Sequence, residues 1–376
     1  MVQATAPNIS YSQDLSNIFS PSLKKIVYTL VTGISLSGIN GIATMTDIRK
    51  DKIYHWLTND LRMRIDSLEP ASEDASFRRY FRATSGRKTF VVMDAPPDKE
   101  DCRPFIAINI ILDQTGVHVP TISELDLDQG FLLLQDLGST LYLSELERDP
   151  EAVNKLYGDA FEALAKIHTR APRISELIPS YDRKLLMNEM ELFREWLLKI
   201  HYKIDLTEHD NEIIDQTFAR LAENALEQPQ VFVHRDYHSR NLMVTTANNP
   251  GIIDFQDAVI GPITYDLASL LRDCYIAWPY EQVKHWVIQY FSRPEISPML
   301  NGANINQVLR WFDLMGVQRH LKASGIFARL NHRDGKTGFL KDVPRTLNYV
   351  LDVLSRHHDF EEFQELFQQK IAPKFI

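Results

Sequence analysis

Cysteine is nearly absent: Cys102 and Cys274 are the only two in 376 residues. Two thiols cannot build a disulfide framework or a cysteine cage for a metal. They read as reduced, partly buried thiols of a cytoplasmic protein. An excess of basic charge is also missing. The net charge is -9, which argues against nucleic-acid binding, because neutralising phosphates takes clustered Lys and Arg. Long unbroken apolar runs are missing too. The segment KKIVYTLVTGISLSGINGIATM, from Lys24 to Met45, has the outline of a signal peptide. Thr, Ser, Gly and Asn interrupt it throughout, so it makes a poor membrane span. Residues 1–44 therefore read as a poorly ordered N-terminal extension, such as an over-long start site would add, and no stable membrane association is expected. No internal repeat is visible, and nothing points to a protein partner.

What is present is an ordinary globular composition, 44% hydrophobic and 24% charged, in a chain long enough for a two-lobed enzyme. From Thr46 or Asp47, as a cap, Ile48, Ile53, Trp56, Leu57 and Leu61 recur at helical spacing. RRYFRA (78–83) and TFVVMDA (89–95) read as strands joined by the turn TSGRK. Residues 104–116 read as a helix, with Pro104 near its start and Gly116 just past its end. TISELD and GFLLLQDLG read as two more strands. The expectation is a small sheet-based lobe within 45–137. After Gly138 the pattern turns helical over 151–170, 181–200, 208–227, 281–292, 304–330 and 344–370. Within this second lobe, 138–376, one short, apolar, turn-rich insert stands out at 230–260.

That insert carries the chemistry. VFVH is an apolar strand ending at His234, and Asp236 follows in the turn. Asn241 precedes Leu242 and Met243, and GIIDF ends a further strand with Asp254 at its tip. Phosphoryl transfer asks little covalent work of a protein. It needs a base near the acceptor hydroxyl and oxygen ligands for Mg²⁺, for which one carboxylate and one amide oxygen suffice because the ion keeps several waters. Asp236 fits the base, and Asn241 and Asp254 fit the metal ligands. A lone D-x-x-x-x-N arises often by chance. The same pattern followed by a strand, a turn and I-I-D-F is far more specific.

HRDYHSRN and IDFQD resemble the catalytic and metal-binding segments of the aminoglycoside phosphotransferase and choline kinase superfamily. The resemblance runs from about Met45 across most of the chain. DASFRRYFRA, VVMDAPPDKEDCRPF, GFLLLQDLG, HRDYHSRNLM, DLASLLRDCYIAWP and QRHLKASGIFARL are most similar to one branch, the bacterial anomeric kinases of N-acetylmuramate and N-acetylglucosamine in peptidoglycan recycling. The resemblance implies an α+β, protein-kinase-like bilobal fold, with a small antiparallel sheet in the N-lobe and a mainly helical C-lobe. It also implies ATP, Mg²⁺ and transfer to the anomeric hydroxyl of an amino sugar. By position, Asp236 matches the base, and Asn241 and Asp254 match the metal ligands. Asp257 matches a second acid that either supports the metal or touches substrate. Asp266 matches a residue that buttresses the loop, and His234 one that orients it. Gln135, Asp136 and Leu137 match the link whose backbone meets adenine.

Two departures stand out. The segment EPASEDASFRR, where a glycine-rich loop is expected, contains no glycine. Ser72 and Ser76 would then supply donors for phosphate and Arg78 or Arg79 the charge, only one of the two facing the nucleotide. The third strand should end in a phosphate-contacting lysine, but Met93 or Asp94 stands there. For the acceptor, Arg240 sits between base and metal ligand, suited to a phosphate or to the lactyl carboxylate of N-acetylmuramate. Arg272 and Trp278 are further substrate candidates. Arg319 or Lys322 either points to the site or lies on a salt-bridged face. Other readings are a kinase of a different small hydroxyl compound (an aminoglycoside, choline or homoserine), or a nucleotide-binding protein without activity.

Overall fold

The computed structural model describes residues 47–73, 77–173 and 176–375. The expected extension at 1–44, the alternative cap Thr46 and the serine at 76 lie outside them. The chain divides into two compact units. One runs to Arg103 and resumes over Thr121–Asp136; the other takes Pro104–Pro120 and everything from Leu137 onward.

In the first unit, α1 (Ile48–His55) starts on Asp47, whose side chain accepts the Lys50 N–H. The strands are β1 (Ser67–Glu73), β2 (Arg79–Ser85) and β3 (Lys88–Asp94), and they form a meander. α2 (Cys102–Thr115) follows, from Pro104 onward in the second unit, and the chain returns to the first as β4 (Ile122–Asp126) and β5 (Phe131–Gln135). The five strands pair antiparallel in the order β1-β2-β3-β5-β4. Period-two alternation puts Phe81, Ala83 and Val92 on one face, where Ile53 of α1 and the following Trp56 and Leu57 cover them together with Phe131 and Leu133. β1 corrects the expectation of an open loop at 69–79: the chain stays paired as far as Glu73. Pro70 is tolerated because β1 is an edge strand, and the register shifts beside it.

The second unit is helical. α3 (Tyr142–Arg148) and α4 (Val153–Arg170) lead to α5 (Arg183–Leu192), which continues as a π-helical stretch, Phe193–His201. α6 (Glu208–Leu226) opens with a capping box between Thr207 and Asp210. The insert then appears as four short strands. β6 (Gln230–Val233) pairs with β9 (Val259–Pro262), and β7 (Leu242–Met243) pairs with β8 (Gly251–Ile252). α7 (Tyr265–Leu271), α8 (Tyr280–Phe291), α9 (Ile305–Asp334), α10 (Val343–Leu354) and α11 (Glu361–Leu366) complete it. α9 is buried along most of its length, including the polar residues Gln318, Arg319, His320 and Lys322. Gly325 permits its approach to α5, since a Cβ there would lie 2.2 Å from the carbonyl carbon of Leu192. Among the described residues, no helix is long and apolar enough to cross a membrane.

Candidate active site

The turn after β6 is held from below. The backbone N–H groups of His234 and Arg235 donate to the two carboxylate oxygens of Asp266, at 2.7 and 3.0 Å. Asp266 lies in the first turn of α7 and is fully buried. Burial pushes its carboxyl up to about 7, against the pull of those two N–H donors. Arg235 sits at φ 77°, a strained region for a side chain with a Cβ, and such strain persists where the surroundings over-determine it. Its guanidinium pairs with Glu189 of α5, donates to the Asp257 carbonyl at 3.2 Å and lies over the Tyr181 ring. Glu189 also receives Lys322 Nζ at 3.2 Å and the Tyr181 hydroxyl. Three donors thus satisfy one buried carboxylate.

His234 is fully buried, and burial pushes its imidazole down to about 4, so it is neutral. Its Nδ1 accepts the Asp236 N–H at 3.3 Å, leaving Nε2–H to donate to the Ile253 carbonyl at 3.2 Å. Burial raises the Asp236 carboxyl, but Lys322, His238, Arg319 and Arg235 together hold it below the ordinary carboxylate value. The turn closes through His238 N–H to the Asp236 carbonyl at 3.0 Å. Ser239 donates through both N–H and hydroxyl to Asp273 Oδ2.

The β7–β8 ladder brings the next pair of groups together. Its register pairs Leu242 with Ile252, so Asn241 and Asp254 lie just beyond its end. Asn241 Nδ2 donates to the Asp236 carbonyl at 3.0 Å and to Asp254 Oδ2 at 3.2 Å. Asp254 adopts φ 64°, and Gln256 Nε2 donates to its Oδ1 at 2.9 Å. One amide and one carboxylate are therefore adjacent, which fits a hard cation that keeps water and phosphate as its other ligands. Among the described residues, no group of three or more His, Cys, Asp or Glu could hold a metal without such help.

The structure sorts the remaining sequence candidates. Arg240 is exposed and stacks over Tyr275 and Phe339, 4.6 and 5.8 Å from the ring centroids. It is not among the charges that bear most on Asp236. Asp257 is exposed, and Gln256 supports Asp254. Arg272 is buried between the rings of Tyr280 and Tyr349, with Asp352 at 3.6 Å. Trp278 packs edge-on against Tyr157 and Trp286 and donates its indole N–H to the Tyr157 hydroxyl. Sequence reasoning missed Glu189, whose helix gave no sign of it, and left open Arg319 and Lys322, both of which are buried. Arg235 had a visible signal, its place directly before Asp236.

In the first unit, Ser72 pairs with Tyr80 across β1 and β2. Arg78 is half-buried just ahead of β2. Arg79 is turned to its own unit: it donates to Asp94 at 2.6 Å and to Asp47 at 2.6 Å. Arg49 grips the other oxygen of Asp94 at 2.6 Å. Met93 and Asp94, where a lysine was expected, are both fully buried, so the end of β3 is an acid between two arginines. Gln135 ends β5, its side-chain oxygen near Thr121 Oγ1 at 3.2 Å, and Asp136 accepts Arg82 at 2.7 Å. Leu137 opens the second unit, where its side chain packs on Gly251.

Comparisons with known proteins fit this geometry. The model of the "Phosphotransferase enzyme family" matches residues 67–299. An N-acetylmuramate/N-acetylglucosamine kinase from Pseudomonas putida is 44% identical over 333 residues, covering 86% of this chain and 97% of the relative. Among solved structures, a choline kinase from Streptococcus pneumoniae superposes with a TM-score of 0.59 at 14% identity, covering 81% of this chain and 99% of that one. An ADP-bound aminoglycoside phosphotransferase gives 0.54 at 16% identity, covering 79% and 97%. With a matched family model spanning the sheet and the whole Asp236–Asp254 segment, the chain belongs to the phosphotransferase enzyme family and is a kinase.

Proposed function

We propose that this kinase uses ATP and Mg²⁺ to phosphorylate the anomeric hydroxyl of N-acetylmuramate and N-acetylglucosamine, in the cytoplasm, as a step of peptidoglycan recycling. One observation carries the chemistry: the turn of Asp236 and Asn241, buttressed by Asp266, meets Asp254 from beyond β8, and Asn241 bridges the two acids' segments. The choice of sugar rests on the relatives' names and on the high identity to them.

Asp236 acts as the base. Its carboxylate, kept ionised by neighbouring cations, accepts the proton of the acceptor hydroxyl as that oxygen bonds to the γ-phosphorus. The bond from γ-phosphorus to the bridging oxygen of ADP breaks, and the proton leaves Asp236 to solvent once product departs. Asn241, through its amide oxygen, and Asp254 would hold Mg²⁺, which supplies neutralising charge to the phosphates. Ser72, Ser76 and Arg78 are assigned to phosphate, and the backbone of Gln135, Asp136 and Leu137 to adenine.

The test is ADP release from ATP and Mg²⁺ with each of N-acetylmuramate, N-acetylglucosamine, choline and an aminoglycoside, the product identified by phosphorus NMR. An anomeric phosphate of either amino sugar is expected. Turnover confined to choline or the aminoglycoside, or none with any acceptor, would sink the proposal.

A further inference from the structure

Arg319 is a buried cation that the proposed chemistry leaves unused. It lies on α9, close to one helical turn before Lys322, and is only 6% exposed. Lys322 is satisfied by Glu189 and by the Tyr265 hydroxyl at 3.1 Å. Arg319 makes no hydrogen bond and no ion pair among the described residues, and its Nη1 is buried with no partner. It does rest over the ring of Tyr265, at 5.6 Å from the centroid. A guanidinium carries five N–H donors and stays charged. Burying one without an acceptor is costly, so a native structure that does so calls for an explanation.

The neighbouring acids do not provide it. Both oxygens of Asp266 take backbone N–H groups. Asp273 takes Ser239 on one oxygen and the Tyr275 N–H on the other. Glu189 already holds Lys322, Arg235 and Tyr181. The ring under Arg319, Tyr265, directly precedes Asp266, whose carboxylate holds the backbone of His234 and Arg235 just ahead of Asp236. Arg319 therefore stands beside the turn that carries the base, where the acceptor must approach.

We propose that Arg319 receives a carboxylate carried by the acceptor, and so makes the site discriminate an acidic sugar such as N-acetylmuramate from N-acetylglucosamine, which lacks that group. This rests on the amino-sugar reading above and adds the residue that reads the difference between the two sugars. The bond would be charge-assisted and planar, the geometry a guanidinium fork gives a carboxylate.

The experiment measures kcat/KM for both sugars with the wild type and with Arg319→Gln, alongside thermal melts. The ratio of N-acetylmuramate to N-acetylglucosamine should fall about 10- to 100-fold, the scale of a lost charge-assisted hydrogen bond, on top of any loss the two sugars share. An equal loss on both sugars overturns the proposal and assigns the guanidinium to the transferring phosphate. If Arg319→Gln does not fold, the wild type carries the test with the carboxamide of N-acetylmuramate, neutral and of the same shape. It should be poorer than the acid by a similar factor, and equal turnover overturns the proposal. A wild type that phosphorylates neither sugar overturns the amino-sugar reading along with it, a result unlike an unchanged ratio.

Discussion

Asp236 is a carboxylate whose burial and whose neighbours pull in opposite directions, and the neighbours win. Two expectations follow for single residues. Asp236→Asn should lower turnover by about 10²- to 10⁴-fold, the usual worth of a positioned base, while ADP affinity by calorimetry changes little. Retention of more than a tenth of the activity would deny it the proton. Lys322 heads the charges that lower Asp236, so Lys322→Met should raise the Asp236 pKa and move the acid limb of the kcat/KM profile to higher pH. An unmoved limb would show that Lys322 serves only Glu189. Asp236, Asn241 and Asp254 were legible in the sequence because all three sit at strand-to-turn junctions of one short insert. Glu189 was not, because its partners Arg235 and Lys322 come from distant segments and an amphipathic helix conceals a buried acid among its exposed ones. Arg240 was favoured for its closeness in sequence to Asp236, while its stacking over Tyr275 and Phe339 could not be read from the sequence.

Among the elements, the long helices and the β2–β3 hairpin announced themselves by period, since each buries one face. β1 and β9 did not. β1 offers one buried apolar residue, Leu68, and a proline, while β9 is buried throughout and shows no alternation. Only pairing with their partners makes them strands. The junction of α9 with the end of α5 is set by backbone approach at Gly325, which no periodicity reveals. Gly325→Ala should therefore destabilise the protein well beyond an ordinary surface change, by about 1–3 kcal/mol or more as overpacking does, read as a lower urea midpoint. A midpoint equal to wild type would mean that α9 shifts freely against Leu192.

For the molecule as a whole, three buried histidines set the response to acid. Burial pushes His168 and His320 down to about 3 and His234 to about 4, from 6.5. Each is neutral in the folded chain and gains a proton on unfolding below about pH 6.5, so the stability it contributes is present above that pH and is lost as pH falls towards 4. Asp266, raised to about 7 from 3.8, opposes them: folded, it keeps a proton that the unfolded chain releases, so its contribution improves as pH falls over the same window. Three protons against one leave about two taken up on unfolding, roughly 2.7 kcal/mol per pH unit. Tm should drop steeply between pH 6.5 and 5, and a flat Tm over that interval would contradict it. The acid at the end of β3 has a different kind of consequence. Arg49 and Arg79 both converge on Asp94, so a lysine placed there would gather three like charges in a site with no exposure. A lineage carrying this clamp could not regain the usual strand lysine by one substitution. It would first have to replace both arginines, so the charge at this position and its two partners can change only together.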